Sequence, residues 1–162
     1  MSKAMVFPAI LMLACSLWAA DPFVGTWELN VAKSEFPSAL LEALGIAKPE
    51  QETIVIRELN GDELEILVTG THMDGSPNSQ KQTVPKQGGI VKFQQGGPPK
   101  GSYYIETKIS ENEKYRALLS NGKQGILLHS IITRNGKVMN LAITGKDNQG
   151  KPFGGLYFFE KQ

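Results

Sequence analysis

The chain is short of the residues on which many enzymes, metal proteins and nucleic-acid binders rely. Cysteine occurs once, at Cys15, and histidine twice, at His72 and His129. A single thiol cannot close a disulfide, and two histidines on separate segments lack metal-ligand spacing, so neither a disulfide scaffold nor a structural zinc site is expected. Charge of one sign is equally scarce: 17 Lys and Arg stand against 16 Asp and Glu, dispersed along the sequence. Without a basic stripe no surface can displace counterions from phosphates, and no nucleic-acid partner is expected. A Gly-x-Ser-x-Gly elbow, a phosphate-binding loop, a dinucleotide fingerprint and a Ca²⁺ loop are all missing. The acids of "NGDELE" (60–65) read as a solvated strand face, with Glu63 and Glu65 opposite Leu64 and Ile66. No cofactor is expected, and the sequence gives no catalytic residues.

Long apolar runs are also lacking, with one informative exception. In "MSKAMVFPAILMLACSLWAA" the stretch Ala4–Ala14 is shorter than the roughly 20 residues a membrane helix needs. Lys3 precedes it and Ala19-Ala20 comes after, the layout of a secretory signal peptide over residues 1–20, with cleavage after Ala19 or Ala20. A lipoprotein anchor through Cys15 is the alternative, although Met12 and Leu13 stand where small or branched residues are preferred. Removal of the leader takes Lys3 with it and leaves 21–162 neutral, free of cysteine and without an integral membrane span. That is one domain's worth of chain, expected to be periplasmic or secreted and monomeric.

The positive signal is a regular series of turns. Asn-Gly occurs at 60–61, 121–122 and 135–136, each between apolar or alternating runs, and this dipeptide is the strongest short-range hairpin signal. "MDGSP" (73–77), "QGG" (87–89), "ENE" (111–113) and "DNQGKP" (147–152) mark further turns. Between them lie about ten strands, near 25–31, 52–59, 63–71, 79–85, 90–94, 102–109, 114–120, 125–134, 138–145 and 153–160. Many short, evenly spaced strands predict an all-β antiparallel barrel or sandwich. One segment interrupts them: Pro37 suits a first helical turn, Leu40, Leu41 and Leu44 share a face, Gly45 ends the turn and Pro49 prevents its resumption. The spacing predicts a short helix over 37–44, held by packing on the barrel.

Two hairpins also resemble each other. "IRELNGDELEILVTGTHMDGSP" (56–77) aligns without a gap on "IITRNGKVMNLAITGKDNQGKP" (131–152), sharing Ile, Asn-Gly, Thr-Gly, a later Gly and Pro. Leu64, Ile66 and Val68 correspond to Met139, Leu141 and Ile143, so one inward phase is kept in both. Convergent turn chemistry and duplication of a half-barrel both account for the match. "QQGGPPKG" (94–101) reads as an exposed connector or a loop at a barrel mouth.

"FVGTWEL" (23–29) resembles the first strand of the lipocalin and fatty-acid-binding-protein (calycin) superfamily. The likeness extends to the helical segment, to "ETIVIRELNGDELEILV" (52–68) and to the closing "ITRNGKVMNLAITG" and "LYFFEK". "DPFVGTWELNVAKS" (21–34) and "TGKDNQGKP" (144–152) further resemble a set of exported bacterial lipocalin-like proteins. The resemblance implies an up-and-down β-barrel with a helix after the first strand, around a small apolar ligand. It also implies an Arg-x-Tyr carboxylate clamp on the last strand, but those positions fall on Tyr157 and Phe159, and a second expected Arg falls on Ile131. No bidentate guanidinium stands there for a fatty-acid carboxylate.

Alternation nominates the interior. Tyr103 shares phase with Ile105, Thr107 and Ile109; Tyr115 with Ala117 and Leu119; His129 with Leu127 and Ile131; Tyr157 with Phe153 and Phe159; His72 with Leu64, Ile66 and Val68. Tyr103, Tyr115, His129, Tyr157 and Phe159 are therefore the candidate ligand-binding residues, able to hold an apolar molecule and orient one polar end. The alternative is that the tyrosines fill a core and hydrogen-bond locally. The functional expectation is an exported barrel binding or carrying a small apolar molecule. Two other readings are an interaction or inhibitor domain with a filled barrel, and a cavity enzyme of cyclase or isomerase type.

Overall fold

A computed structural model describes residues 21–133, 135–147 and 149–162. The expected signal segment, 1–20 with Cys15, lies outside the described residues. The elements are β1 (Gly25–Leu29), α1 (Ser38–Leu44), β2 (Pro49–Asn60), β3 (Glu63–His72), β4 (Pro77–Pro85), β5 (Gly88–Ile90), β6 (Lys92–Gln95), β7 (Ser102–Ser110), β8 (Glu113–Ser120), β9 (Lys123–Thr133), β10 (Val138–Lys146) and β11 (Pro152–Lys161). All strands belong to one antiparallel sheet in the order β5-β7-β8-β9-β10-β11-β1-β2-β3-β4-β6. Its two edge strands, β5 and β6, are consecutive in the chain. Gly88–Ile90 pairs with β7 and Lys92–Gln95 with β4, so the single expected strand at 90–94 is a split one that nearly closes the sheet into a barrel.

Turn chemistry explains the meander. Asn121-Gly122 and Asn135-Gly136 adopt the positive φ angles expected of Asn-Gly, with φ of 50° and 75° in the first pair. The turn at Asn60-Gly61 is built otherwise. The Asn60 side-chain oxygen accepts from the backbone N–H groups of Asp62 and Glu63, and a bulge between Glu58 and Asn60 absorbs the difference in register. The two similar hairpins keep their shared phase: Leu64, Ile66 and Val68, like Met139, Leu141 and Ile143, all face the interior.

Helix α1 begins after Pro37 and ends on Gly45 in the left-handed region at φ 65°. Leu40, fully buried, lies so close to the Gly155 backbone that a Cβ there would collide with it. Glycine at 155 is thus what lets the helix sit down on β11. On β1, Trp27 is completely buried and its indole N–H donates to the Phe23 carbonyl at 2.8 Å. Lys161 covers its ring from outside, 4.9 Å from the centroid. The Gly-Thr-Trp opening is therefore architectural, since a Cβ at Gly25 would run into the Lys161 stem that crosses Trp27.

Candidate ligand site inside the barrel

The interior is hollow. A cavity of about 320 Å³ runs between the inward faces of the strands, in the lower part of the range that small-molecule sites occupy. Ile54 and Ile56 of β2, Leu64, Ile66 and Val68 of β3, and Met139, Leu141 and Ile143 of β10 form its apolar wall. Leu44 and Ile46, around the end of α1, and Phe23, ahead of β1, complete the apolar lining.

The other wall is polar. Asn78, Gln80 and Gln82 are alternate residues of β4 and place three carboxamides in a row along the cavity. Beyond them stand Tyr104 and Glu106 of β7 and Lys114 and Arg116 of β8. Arg116 donates from Nε and Nη2 to Glu106 Oε2 at 3.1 and 2.6 Å, and from Nη1 to Gln82 Oε1 at 2.8 Å. This guanidinium reaches past β7 to β4, bridging the seam where the main-chain ladder is interrupted between the edge strands β5 and β6. Lys114 Nζ lies 3.4 Å from Glu106 Oε1, long for a hydrogen bond, and 4.5 Å from the Phe23 ring centroid. Burial acts to raise the Glu106 carboxyl, but attraction from Arg116 and Lys114 outweighs it and holds the group below its ordinary range.

A second carboxyl behaves in the opposite way. Glu52, on β2, accepts from Asn78 Nδ2 at 2.7 Å and has no cation beside it among the described residues. Burial dominates, and its pKa is pushed up to about 7 despite the Asn78 bond. Tyr157 is raised as well, by burial first and then by the Glu52 charge. Its ring packs edge-on against Phe36 at 4.8 Å. Glu52 therefore changes charge near neutrality inside the cavity.

The structure brings together only part of the set nominated by alternation. Tyr157 lines the cavity, and Phe159 is fully buried in the core behind it. Tyr103, Tyr115 and His129 point the other way. Their neighbours Tyr104, Lys114, Arg116, Leu128 and Ser130 line the cavity, and Tyr103, Ile105 and Ile109 are exposed on the outer surface. Tyr115 and His129, opposite each other on β8 and β9, stack outside at 4.0 Å, and His129 Nε2 pairs with Glu113 at 2.8 Å. For Tyr103 and Tyr115 the physical reason is that β7 and β8 carry charge inward and apolar groups outward, the reverse of the usual rule. His72 is buried at the end of β3, with Nδ1 3.1 Å from Ser76 Oγ and away from the cavity lining. Glu65 does face outward, but Arg57 and Lys81 cover it.

Glu52, Gln82, Glu106, Lys114 and Arg116 escaped the sequence reading. The usable signal was Glu106 opposite Arg116 once β7 and β8 are paired as a hairpin around Glu111-Asn112, since opposite charges favour cross-strand positions. Among the described residues no three His, Cys, Asp or Glu side chains converge as a metal site, and no helix is long and apolar enough to cross a membrane.

Solved structures share this fold. The chain is similar to the wild-type fluorescent protein UnaG, with a TM-score of 0.55 and 16% identity over 86% of this chain and 97% of that one. The fold is a calycin-like barrel. A single-residue mutant of UnaG gives a TM-score of 0.57 at 16% identity, over 88% and 97% of the two chains. At such identity the likeness speaks for the calycin-like fold alone. No protein-family model matches the sequence, and no curated protein matches it.

Proposed function

We propose that this barrel binds or carries a small, largely apolar molecule within its cavity. The carrying observation is the 320 Å³ space with one apolar and one polar wall, a shape that buries a hydrocarbon body and fixes one polar end. A barrel filled by its own side chains would leave no such space, which weighs against the filled-barrel reading. A depression lined by Ala39 and Ala43 of α1 and by Lys146, Lys151 and Phe153 around the β10–β11 turn shares Ile126 with the cavity. The leader-like residues 1–20 and the motifs at 21–34 and 144–152 support the further reading that the carrier works outside the cytoplasm, in a periplasm or extracellular medium.

A second reading, binding through the outer surface, draws on the exposed Ile90, Ile105, Ile109 and Tyr103. Native mass spectrometry of the protein purified from its own source separates the two. A bound small molecule near one-to-one, lost on extraction with organic solvent, supports the cavity. A clean apo mass together with no uptake of Nile red would overturn it.

A further inference from the structure

The polar wall contains a mismatch. Glu106 is 6% exposed and lines the cavity, yet its Oε1 accepts no hydrogen bond among the described residues. Beside it, Lys114 is 5% exposed, and its partners among those residues are this carboxylate, at 3.4 Å, and the face of Phe23. A buried acceptor and a buried ammonium thus face the same space with their hydrogen-bonding capacity largely unused. Buried polar groups left in this state are costly, and a ligand that completes them gains accordingly.

We propose that the polar end of the ligand is a hydroxyl group seated between Lys114 and Glu106, making the preferred cargo an apolar alcohol or phenol. The inference rests on the cavity-binding reading above and names its ligand class. A hydroxyl is both donor and acceptor. Its oxygen accepts from Lys114 Nζ while its O–H donates to Glu106 Oε1, and one oxygen within ordinary hydrogen-bond distance of both fits a pair 3.4 Å apart.

A carboxylate is less well suited. It has no proton for Glu106 Oε1 and would meet that carboxylate's charge. Arg116, the group best shaped to clamp it, already commits three of its five N–H donors, one from each nitrogen, to Glu106 and Gln82. Glu52, which also lines the cavity, adds negative charge there as it ionises. An ether or hydrocarbon supplies no donor and leaves Oε1 unpaired.

Calorimetric titration of the full-length protein with decanol, its methyl ether and decanoic acid at neutral pH tests this without any substitution. Decanol is expected to bind at least about tenfold more tightly than the ether, with the acid no better than the ether. In Lys114→Met, which leaves the Arg116–Glu106 pair in place, decanol and the ether should both weaken, since either oxygen can accept from Nζ. Decanol should keep its advantage over the ether through the bond to Glu106 Oε1. Equal affinity for alcohol and ether, or tightest binding of the acid, overturns the hydroxyl site and leaves cavity binding standing. Failure of all three probes to bind overturns the cavity reading along with it.

Discussion

The two sides of this barrel obey opposite rules. On β2 and β3, Ile54, Ile56, Leu64, Ile66 and Val68 face in, while Arg57 and Glu65 face out and pair with each other, Glu65 pairing also with Lys81. On β7 and β8, Glu106, Lys114 and Arg116 face in, while Tyr103, Ile105 and Ile109 face out. The strands are built of similar residue types and differ in which face carries the charge. Charge placed inside a barrel must be internally matched, because water no longer solvates it. Here Arg116 matches one oxygen of Glu106 and Gln82, and the remainder is left for a ligand.

The largest test of the contrast removes the matching group. Arg116→Met leaves Glu106 buried with only the Lys114 ammonium, 3.4 Å from one of its oxygens, and should cost about 3–5 kcal/mol, measured as a lowered urea midpoint. Replacing Glu106, Lys114 and Arg116 together by Met should recover most of that loss, since an apolar trio leaves no unpaired charge. On the apolar wall, Leu64→Ala removes a fully buried side chain and should cost about 2–5 kcal/mol while enlarging the cavity.

Glu52 gives a pH-dependent test on the same wall. Its folded carboxyl keeps a proton up to about pH 7, whereas in the unfolded chain it ionises near its ordinary value of 4.5. The folded state therefore binds the proton more tightly, and stability falls as pH rises from about 4.5 to 7. Glu52→Gln retains an acceptor for Asn78 and should stabilise the protein by up to about 3 kcal/mol at pH 8, with little change at pH 4. Thermal unfolding at the two pH values checks the sign. The smallest effect belongs to the outer face: Ile105→Thr, at a side chain already 39% exposed, should change stability by no more than about 0.5 kcal/mol in the same assay.

These contrasts also mark where the sequence is legible. The barrel can be read because turns announce themselves locally, through Asn-Gly at 121–122 and 135–136, and because Pro37 and Gly45 bound the helix. The inward residues of β3, β10 and β11 are readable because one phase is plainly apolar. On β7, Ile105 and Ile109 make the outer phase the more apolar one, and on β8 Ala117 and Leu119 do the same against Lys114 and Arg116. Alternation then gives the wrong face for Tyr103 and Tyr115. On β9 both phases are apolar, Ile126 and Leu128 against Leu127 and Ile131, so alternation does not decide where His129 points. Only the pairing of Glu106 with Arg116 and the reach to Gln82 reveal that the charges belong together inside. Glu52 is invisible for another reason: its perturbation comes from burial, which a linear pattern does not record.

Strand β1 carries one further consequence, for the order in which the ring forms. Most neighbours in the sheet are also neighbours in the chain, so hairpins can assemble successively from nearby residues. Trp27 and Lys161 are the extreme exception, paired across nearly the whole described chain. Closing so long a loop is entropically slow, which places the β1–β11 ladder last in folding. Until then both strands offer bare edges to other molecules, and the waiting species is the one most prone to aggregate. Pulse-labelled hydrogen exchange during refolding should therefore find the amides shared by β1 and β11 protected after those of the β2–β3 and β9–β10 hairpins.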